Sequence, residues 1–120
     1  MANTSNDHPI VIAPNPRRVC VLWRSHLIAD TTHALSLAEK SYPAVNYIPR
    51  EDVMMAHLVR STHQTRCPYK GVASYYSLAV GDHVAENAVW TYETPIPGVA
   101  AIAGYLSFYS NIVESTESAA

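Results

Sequence analysis

Short hydrophobic runs separated by turn-forming residues dominate the chain, a pattern that predicts strands more often than helices. The run RVCVLWR, residues 18–24, is rich in β-branched and aromatic side chains, and a second run, LIAD, follows at the spacing of a β-hairpin. Residues 71–80 and 88–94 are also typical of strands, because their tyrosine, valine and tryptophan side chains suit a half-buried pleated surface. Glycine, aspartate and asparagine between these two segments predict a turn.

Other segments have mixed patterns. Residues 33–40 (HALSLAEK) alternate as in a strand, whereas their alanine, leucine, glutamate and lysine content favours a helix. Residues 51–60 (EDVMMAHLVR) place apolar side chains on one helical face and acidic residues in the first turn, so they are the best candidate for a helix. The segment NYIP, residues 46–49, is short and extended. The closing segment AIAGYLSFYSNIV fits either a strand or a helix.

The composition is that of one globular domain, with 120 residues of which 48% are hydrophobic and 15% charged. Residues 1–16 are polar and contain three prolines, which predicts a flexible N-terminal arm. The single β-rich domain is then expected to span residues 17–113, and residues 114–120 to form a flexible C-terminal tail. We expect a mainly β (α+β) fold with one or two short helices.

The charge balance narrows the possible partners. A net charge of -2 and a pI near 6.3 remove the usual electrostatic reason to bind nucleic acid or an anionic membrane. No stretch reaches the ~18 apolar residues of a membrane-spanning helix, and the first eight residues lack the features of a signal peptide. We therefore expect a cytoplasmic protein with two free thiols and a small-molecule ligand or substrate as its partner, and a homodimer is left open.

The segment CPYKGVASYY, residues 67–76, concentrates the candidate chemistry around a proline and a glycine. Cys67 is either a nucleophile beside two cations or part of a structural turn. Lys70 is either a surface lysine or an ammonium held against aromatic rings, where it could serve cation–π binding, acid–base or Schiff-base chemistry. Because the cysteines stand alone, the histidines are scattered and the phosphate-binding glycine motifs are absent, we expect neither a metal site nor a cofactor.

Four segments, NYIPREDV, TRCPYKGVASYYSL, NAVWTYETPIP and IAGYLSFY, occur in an order and spacing that closely resembles the family called domain of unknown function 427. The resemblance implies a nucleotidyltransferase-like label and a β-tent fold, a pair of coiled antiparallel sheets shared with zinc-binding, reductase and cyclic imide-binding domains. This chain lacks both the paired cysteines that hold zinc in other β-tents and the D-x-D pair that holds magnesium in nucleotidyltransferases. The motif positions carried over by the resemblance are Glu39, Tyr47, Pro49, Asp52, Cys67, Pro68, Lys70, Gly71, Tyr75, Trp90, Tyr92 and Pro95.

Two classes of function follow, with the nucleotidyltransferase-like activity of the family label as a further alternative. As an enzyme on a small polar metabolite, the domain would use Lys70 as a cation or proton donor and Glu39 as a general base, with Tyr69 or Tyr75 donating a hydrogen bond. As a non-catalytic binding module, it would build an aromatic cage from Trp23, Tyr75, Trp90 and Tyr92. In a third interpretation, each of these rings is only a core residue of a small β domain.

The predicted site joins residues that are far apart in the sequence. A domain of this size has room for about one major cleft, so Glu39, Lys70, Tyr75 and Trp90 are expected to line one concavity. The predicted catalytic residues are Lys70, Glu39 and Tyr75, and the predicted ligand-binding residues are Tyr47, Tyr69, Trp90, Tyr92 and Cys67.

Overall fold

Antiparallel strands account for most of the fold of residues 8–120, the part of the chain that the computed structural model describes. The ten strands in this part are β1 (Ile10–Asn15), β2 (Arg18–Trp23), β3 (His26–Thr31), β4 (Ala34–Glu39), β5 (Val45–Tyr47), β6 (Leu58–Cys67), β7 (Gly71–Val80), β8 (His83–Thr91), β9 (Leu106–Phe108) and β10 (Glu114–Ser118). Three short 3-10 helices, Arg50–Asp52, Met55–His57 and Pro97–Ile102, join them. The predicted mainly β class is confirmed.

The strands form three antiparallel sheets, with the orders β1-β4-β5, β10-β2-β3 and β6-β7-β8-β9. The predicted β2–β3 hairpin is present, and its two turn residues, Arg24 and Ser25, both adopt positive φ, as tight hairpin turns require. The predicted strands β7 and β8 are also present and pair with each other, but β8 begins at His83, within the predicted turn, and ends at Thr91. Residues 33–40, which the sequence left open, form a strand because β4 is paired on both sides, with β1 and with β5.

The helix predicted over residues 51–60 is wrong. The segment divides into two 3-10 turns and the first residues of β6. Between the turns, Val53 bridges to Ala29 and the Met54 amide donates to the Ile28 carbonyl at 2.7 Å. A ten-residue helix is marginal in water, so these tertiary bonds to β3 prevail over the local pattern.

The two terminal predictions also need correction. Residues 10–15, assigned to a flexible arm, form β1, because Ile10 and Ile12 pack on the core and the strand pairs along β4. Residues 114–118, assigned to a flexible tail, form β10, which pairs with β2 although all its side chains are exposed. Backbone pairing with β2 and hydrogen bonds from Asn15 and Asn46 to the Glu117 carboxylate hold that strand, and hydropathy gives no sign of it. The first seven residues of the predicted arm lie outside the described residues.

Two hydrophobic clusters form the core, and β7 contributes to both because its successive side chains point to opposite faces of the sheet. Tyr76 and Leu78 pack in the first cluster with β2, β3 and β9 residues. Ala73 and Tyr75 pack in the second cluster, next to Leu37 of β4. Within residues 8–120 there is no helix of the length and apolar character that crossing a membrane requires.

Candidate functional site

Lys70 lies in the turn between β6 and β7, and its side chain is buried. The turn is closed by the Lys70 amide, which donates to the Cys67 carbonyl at 3.3 Å, and it is followed by Gly71 with φ of 115°. A Cβ at Gly71 would touch the backbone of Pro95 at 3.5 Å, and this positive φ is one that side-chain-bearing residues rarely adopt. The Lys70 side chain is 10% exposed, so the backbone of this turn directs its ammonium into the protein.

The partner of Lys70 is Glu39, at the end of β4. The Lys70 Nζ donates to Glu39 Oε1 at 2.6 Å, and the glutamate side chain is 20% exposed. The two residues are far apart in the sequence, and they meet because β4 and the β6–β7 turn border the second core cluster. The structure therefore brings together the two leading candidates of the sequence analysis.

His8 completes this group, and sequence reasoning missed it. Its Nε2 is hydrogen-bonded to Glu39 Oε2, and its ring stacks on Tyr69 with centroids 3.6 Å apart and an interplanar angle of 5°. The histidine fell within the predicted flexible arm, so it was given no role. The alternating isoleucines that follow it were the available signal, because they predict a strand that would hold His8 against the domain. We call His8, Glu39 and Lys70 the ion network.

Within the ion network, the pKa of the Glu39 carboxyl is shifted from its ordinary value. Burial acts to raise the pKa of this carboxyl, but the hydrogen bonds from Lys70 and His8 outweigh it, so the pKa lies below its ordinary value. Glu39 is therefore ionised at neutral pH. A carboxylate with a low pKa is a weak general base, because an efficient base has a pKa near the working pH.

Three of the predicted site tyrosines, Tyr47, Tyr75 and Tyr92, are core residues with exposed fractions of 2%, 7% and 6%. Burial raises the pKa of Tyr47 to about 12, partly offset by a hydrogen bond from Trp90 Nε1 at 3.1 Å, and burial raises the pKa of Tyr92 as well. The phenols of Tyr47 and Tyr92 therefore stay protonated at neutral pH. Most of each ring is used in packing, which matches the core reading of these residues.

The Tyr75 hydroxyl links this cluster to two residues that the sequence analysis did not select. It is 2.9 Å from the Thr65 hydroxyl and 3.5 Å from the Tyr109 hydroxyl, and the His63 ring lies 4.6 Å from the Tyr75 ring. His63 was given no role because the scattered histidines of the sequence show no metal-ligand spacing. The pairing of β6 with β7 brings it to Tyr75, and the polar pattern of residues 58–67 gives no sign of a strand there.

Trp90 also borders a cavity. The Trp90 and Tyr109 rings are 4.6 Å apart, and both line a cavity of about 460 Å³ with Val19, Val21, Ile48 and Phe108. Tyr75 and Trp90 are register partners on β7 and β8, yet neither Tyr75 nor the Lys70–Glu39 pair lines this cavity. A single concavity shared by all four residues thus stays a prediction.

The remaining candidates occupy different positions. Tyr69 is 43% exposed beside the ion network, and Cys67 is a half-buried free thiol at the edge of the second core cluster. Trp23, however, packs in the first core cluster, away from Tyr75, Tyr92 and Trp90. The predicted four-ring cage that includes Trp23 is therefore not assembled. Among residues 8–120, no three histidine, cysteine or acidic side chains are grouped as a metal site would need.

The chain belongs to the family described as "Domain of unknown function (DUF427)", whose family model matches residues 11–119. The match covers nearly the whole chain and confirms the resemblance seen in the motifs. No curated protein matches the sequence.

Proposed function

We propose that this domain binds a small polar molecule at the ion network, through the ammonium of Lys70. The observation that carries the proposal is the hydrogen-bond balance of that ammonium. Its Nζ has three N–H donors, while residues 8–120 give it one acceptor, Glu39 Oε1. A lysine that is 8% exposed rarely leaves donors without partners, so an acceptor on a ligand is the natural complement.

The ion network suits binding better than proton transfer. Its carboxylate is held ionised by Lys70 and His8, and its low pKa disfavours the general-base role predicted for Glu39. An ionised carboxylate beside an ammonium forms a fixed dipole that recognises a ligand without changing its own charge. This is the behaviour of a binding module rather than of an acid–base enzyme.

The surroundings of Lys70 indicate the ligand chemistry. A ligand group that accepts hydrogen bonds, such as a carboxylate or a carbonyl, would complement the remaining Nζ donors. The exposed Tyr69 ring, held parallel to His8, gives a flat surface for an adjoining planar part of the ligand. A small planar molecule with one acceptor group fits both features.

The cavity beside Trp90 supports a second candidate function, an aromatic-lined binding module. Its volume of about 460 Å³ lies within the usual range for small-molecule sites, and Trp90, Phe108 and Tyr109 line it. A ligand there would be mainly apolar and would not depend on Lys70. The two candidates are therefore separable by mutation.

The test is a ligand screen by thermal shift, with hits checked by heteronuclear NMR. The panel contains small carboxylic acids, amino acids, cyclic imides, and nucleotides with and without magnesium. Lys70→Met is compared with Lys40→Met, which changes the other lysine of the chain. We expect a hit that Lys70→Met abolishes, that Lys40→Met retains and that Lys70→Arg weakens only in part, since arginine keeps the charge.

Ala44→Phe separates the two candidates, because Ala44 is exposed and lines the cavity beside Trp90. A ligand whose binding is lost in Ala44→Phe and kept in Lys70→Met would show that the binding site is the cavity beside Trp90 and not the ion network. If the domain turns over a nucleotide and this turnover requires Lys70, the function is a nucleotidyltransferase-like activity and not binding alone. A hit that binds all variants equally would contradict both sites.

A further inference from the structure

A second polar cluster lies on the opposite face of β7 from Tyr75, at the phenol of Tyr76. Arg50, in the first 3-10 helix, donates from Nη1 to the Tyr76 hydroxyl at 3.1 Å. Arg60, on β6, donates from Nη1 to the same oxygen at 3.4 Å. Their guanidinium carbons are 5.9 Å and 5.4 Å from the centre of the tyrosine ring, so two cations from separate elements meet at one phenol.

The charges of this cluster do not balance. Arg60 forms a two-pronged ion pair with Glu93, at 2.8 Å and 3.0 Å. Arg50 has no carboxylate within 4.0 Å among residues 8–120. One positive charge is therefore left over, next to another of the same sign, and an added anion would be attracted to this point.

The hydrogen-bond donors of the cluster converge as well. A phenol oxygen accepts two hydrogen bonds and donates one. Arg50 and Arg60 both donate to the Tyr76 oxygen, so its own O–H is a further donor at the same point. The Tyr76 ring is buried, while both arginines are exposed, so a solute can reach their remaining N–H groups.

We propose that Arg50, Arg60 and Tyr76 form a binding site for a compact oxyanion of the phosphate class, separate from the ion network. Phosphate offers more acceptor oxygens and a larger negative charge than a carboxylate, so it is the better complement to two guanidinium groups beside one phenol. Guanidinium groups bind such oxyanions with paired hydrogen bonds, which a lone ammonium cannot form. The site needs nothing from Lys70, so it stands whether or not the proposed ligand binds at the ion network.

The test is a titration of the full chain with sodium phosphate, followed by NMR of tyrosine labelled at Cζ. Sodium chloride and sodium acetate at equal ionic strength are the reference titrations. Arg50→Gln is compared with Arg66→Gln, which removes the same charge from an exposed position on β6. We expect a saturable shift of the Tyr76 signal in the wild type and in Arg66→Gln, with affinity about tenfold or more lower in Arg50→Gln.

Tyr76→Phe provides an independent check, because it keeps the buried ring and removes only the hydroxyl. For this variant the backbone amide signals around Arg50 and Arg60 report binding, and we expect phosphate affinity to fall several-fold. The proposal is overturned if phosphate acts no more strongly than chloride, or if Arg50→Gln binds phosphate as well as Arg66→Gln does. If acetate shifts the signals as strongly as phosphate does, the site binds carboxylates in general and the assignment to the phosphate class is wrong.

Discussion

Tyr75 and Tyr76 are neighbours on β7, yet they face two regions with opposite electrostatic arrangements. On the Tyr75 side, the cation Lys70 is buried and bonded to the carboxylate of Glu39. The tyrosines Tyr47, Tyr75 and Tyr92 on this side are packed in the core. On the Tyr76 side, two exposed arginines bond directly to the phenol, and a single carboxylate, Glu93, pairs with one of them.

The two sides also differ in the pKa values of their buried tyrosines. Burial raises the pKa of Tyr47, on the Tyr75 side, to about 12. At Tyr76 burial acts in the same direction, but the hydrogen bonds from Arg50 and Arg60 outweigh it, and the pKa is lowered. The comparison teaches that burial raises the pKa of a tyrosine in this fold unless cations bond directly to its phenol.

The largest expected effect comes from removing the buried cation on the Tyr75 side. Lys70→Met leaves Glu39 partly buried with His8 as its one remaining side-chain partner among residues 8–120, so we expect a loss of about 2 kcal/mol in the free energy of unfolding. Urea denaturation measures it, with Lys40→Met as the control at less than ~0.5 kcal/mol. The double variant Lys70→Met/Glu39→Leu should recover much of the loss. If the single variant matches Lys40→Met, Lys70 is not held by this pair.

A smaller effect tests the ionised state of Glu39. Because its folded pKa is lowered, its contribution to stability is fully present above its ordinary value near 4.5 and is lost as pH falls through the folded pKa. The stability difference between wild type and Glu39→Gln, about 1 kcal/mol, should therefore be constant from pH 7 to 5 and shrink below pH 4.5. Urea midpoints at several pH values measure it. A difference that grows on acidification would mean that Glu39 is protonated in the fold.

The smallest effect concerns the Tyr76 side. Arg50→Gln removes one cation from the phenol, so the pKa of Tyr76 should rise towards its ordinary value of 10, while stability changes by less than ~0.5 kcal/mol. NMR titration of Cζ-labelled tyrosine follows the change, and Tyr76→Phe identifies the signal. An unchanged pKa in Arg50→Gln would show that Arg60 alone sets the phenol's charge state.

The sequence predicted two of the strand pairs that short turns connect. The β2–β3 and β7–β8 pairs follow from short turns next to β-branched and aromatic runs. The helix over residues 51–60 failed because bonds to β3 decide that segment, and β10 was missed because its exposed side chains carry no hydrophobic signal.

Some residues of the candidate sites were selected from the sequence, and others were missed. Glu39 and Lys70 were selected at family motif positions and expected to line one concavity, but the ion pair between them was not predicted. His8 and His63 were missed because strand pairing brings each of them to its partner, Glu39 or Tyr75. Arg50 and Arg60 were missed for the same reason, since the 3-10 helix and β6 meet only in the folded chain.

The most direct test of the account is an NMR titration of the lysine ammonium groups with sodium acetate, a simple acceptor-bearing probe. The chain has two lysines, so Lys70 and Lys40 give two assignable Nζ signals. We predict a saturable shift of the Lys70 signal that sodium chloride at equal ionic strength does not produce, and no such shift for Lys40. If neither signal responds, or if both respond alike, Lys70 is a structural ion-pair partner and not the centre of a ligand site.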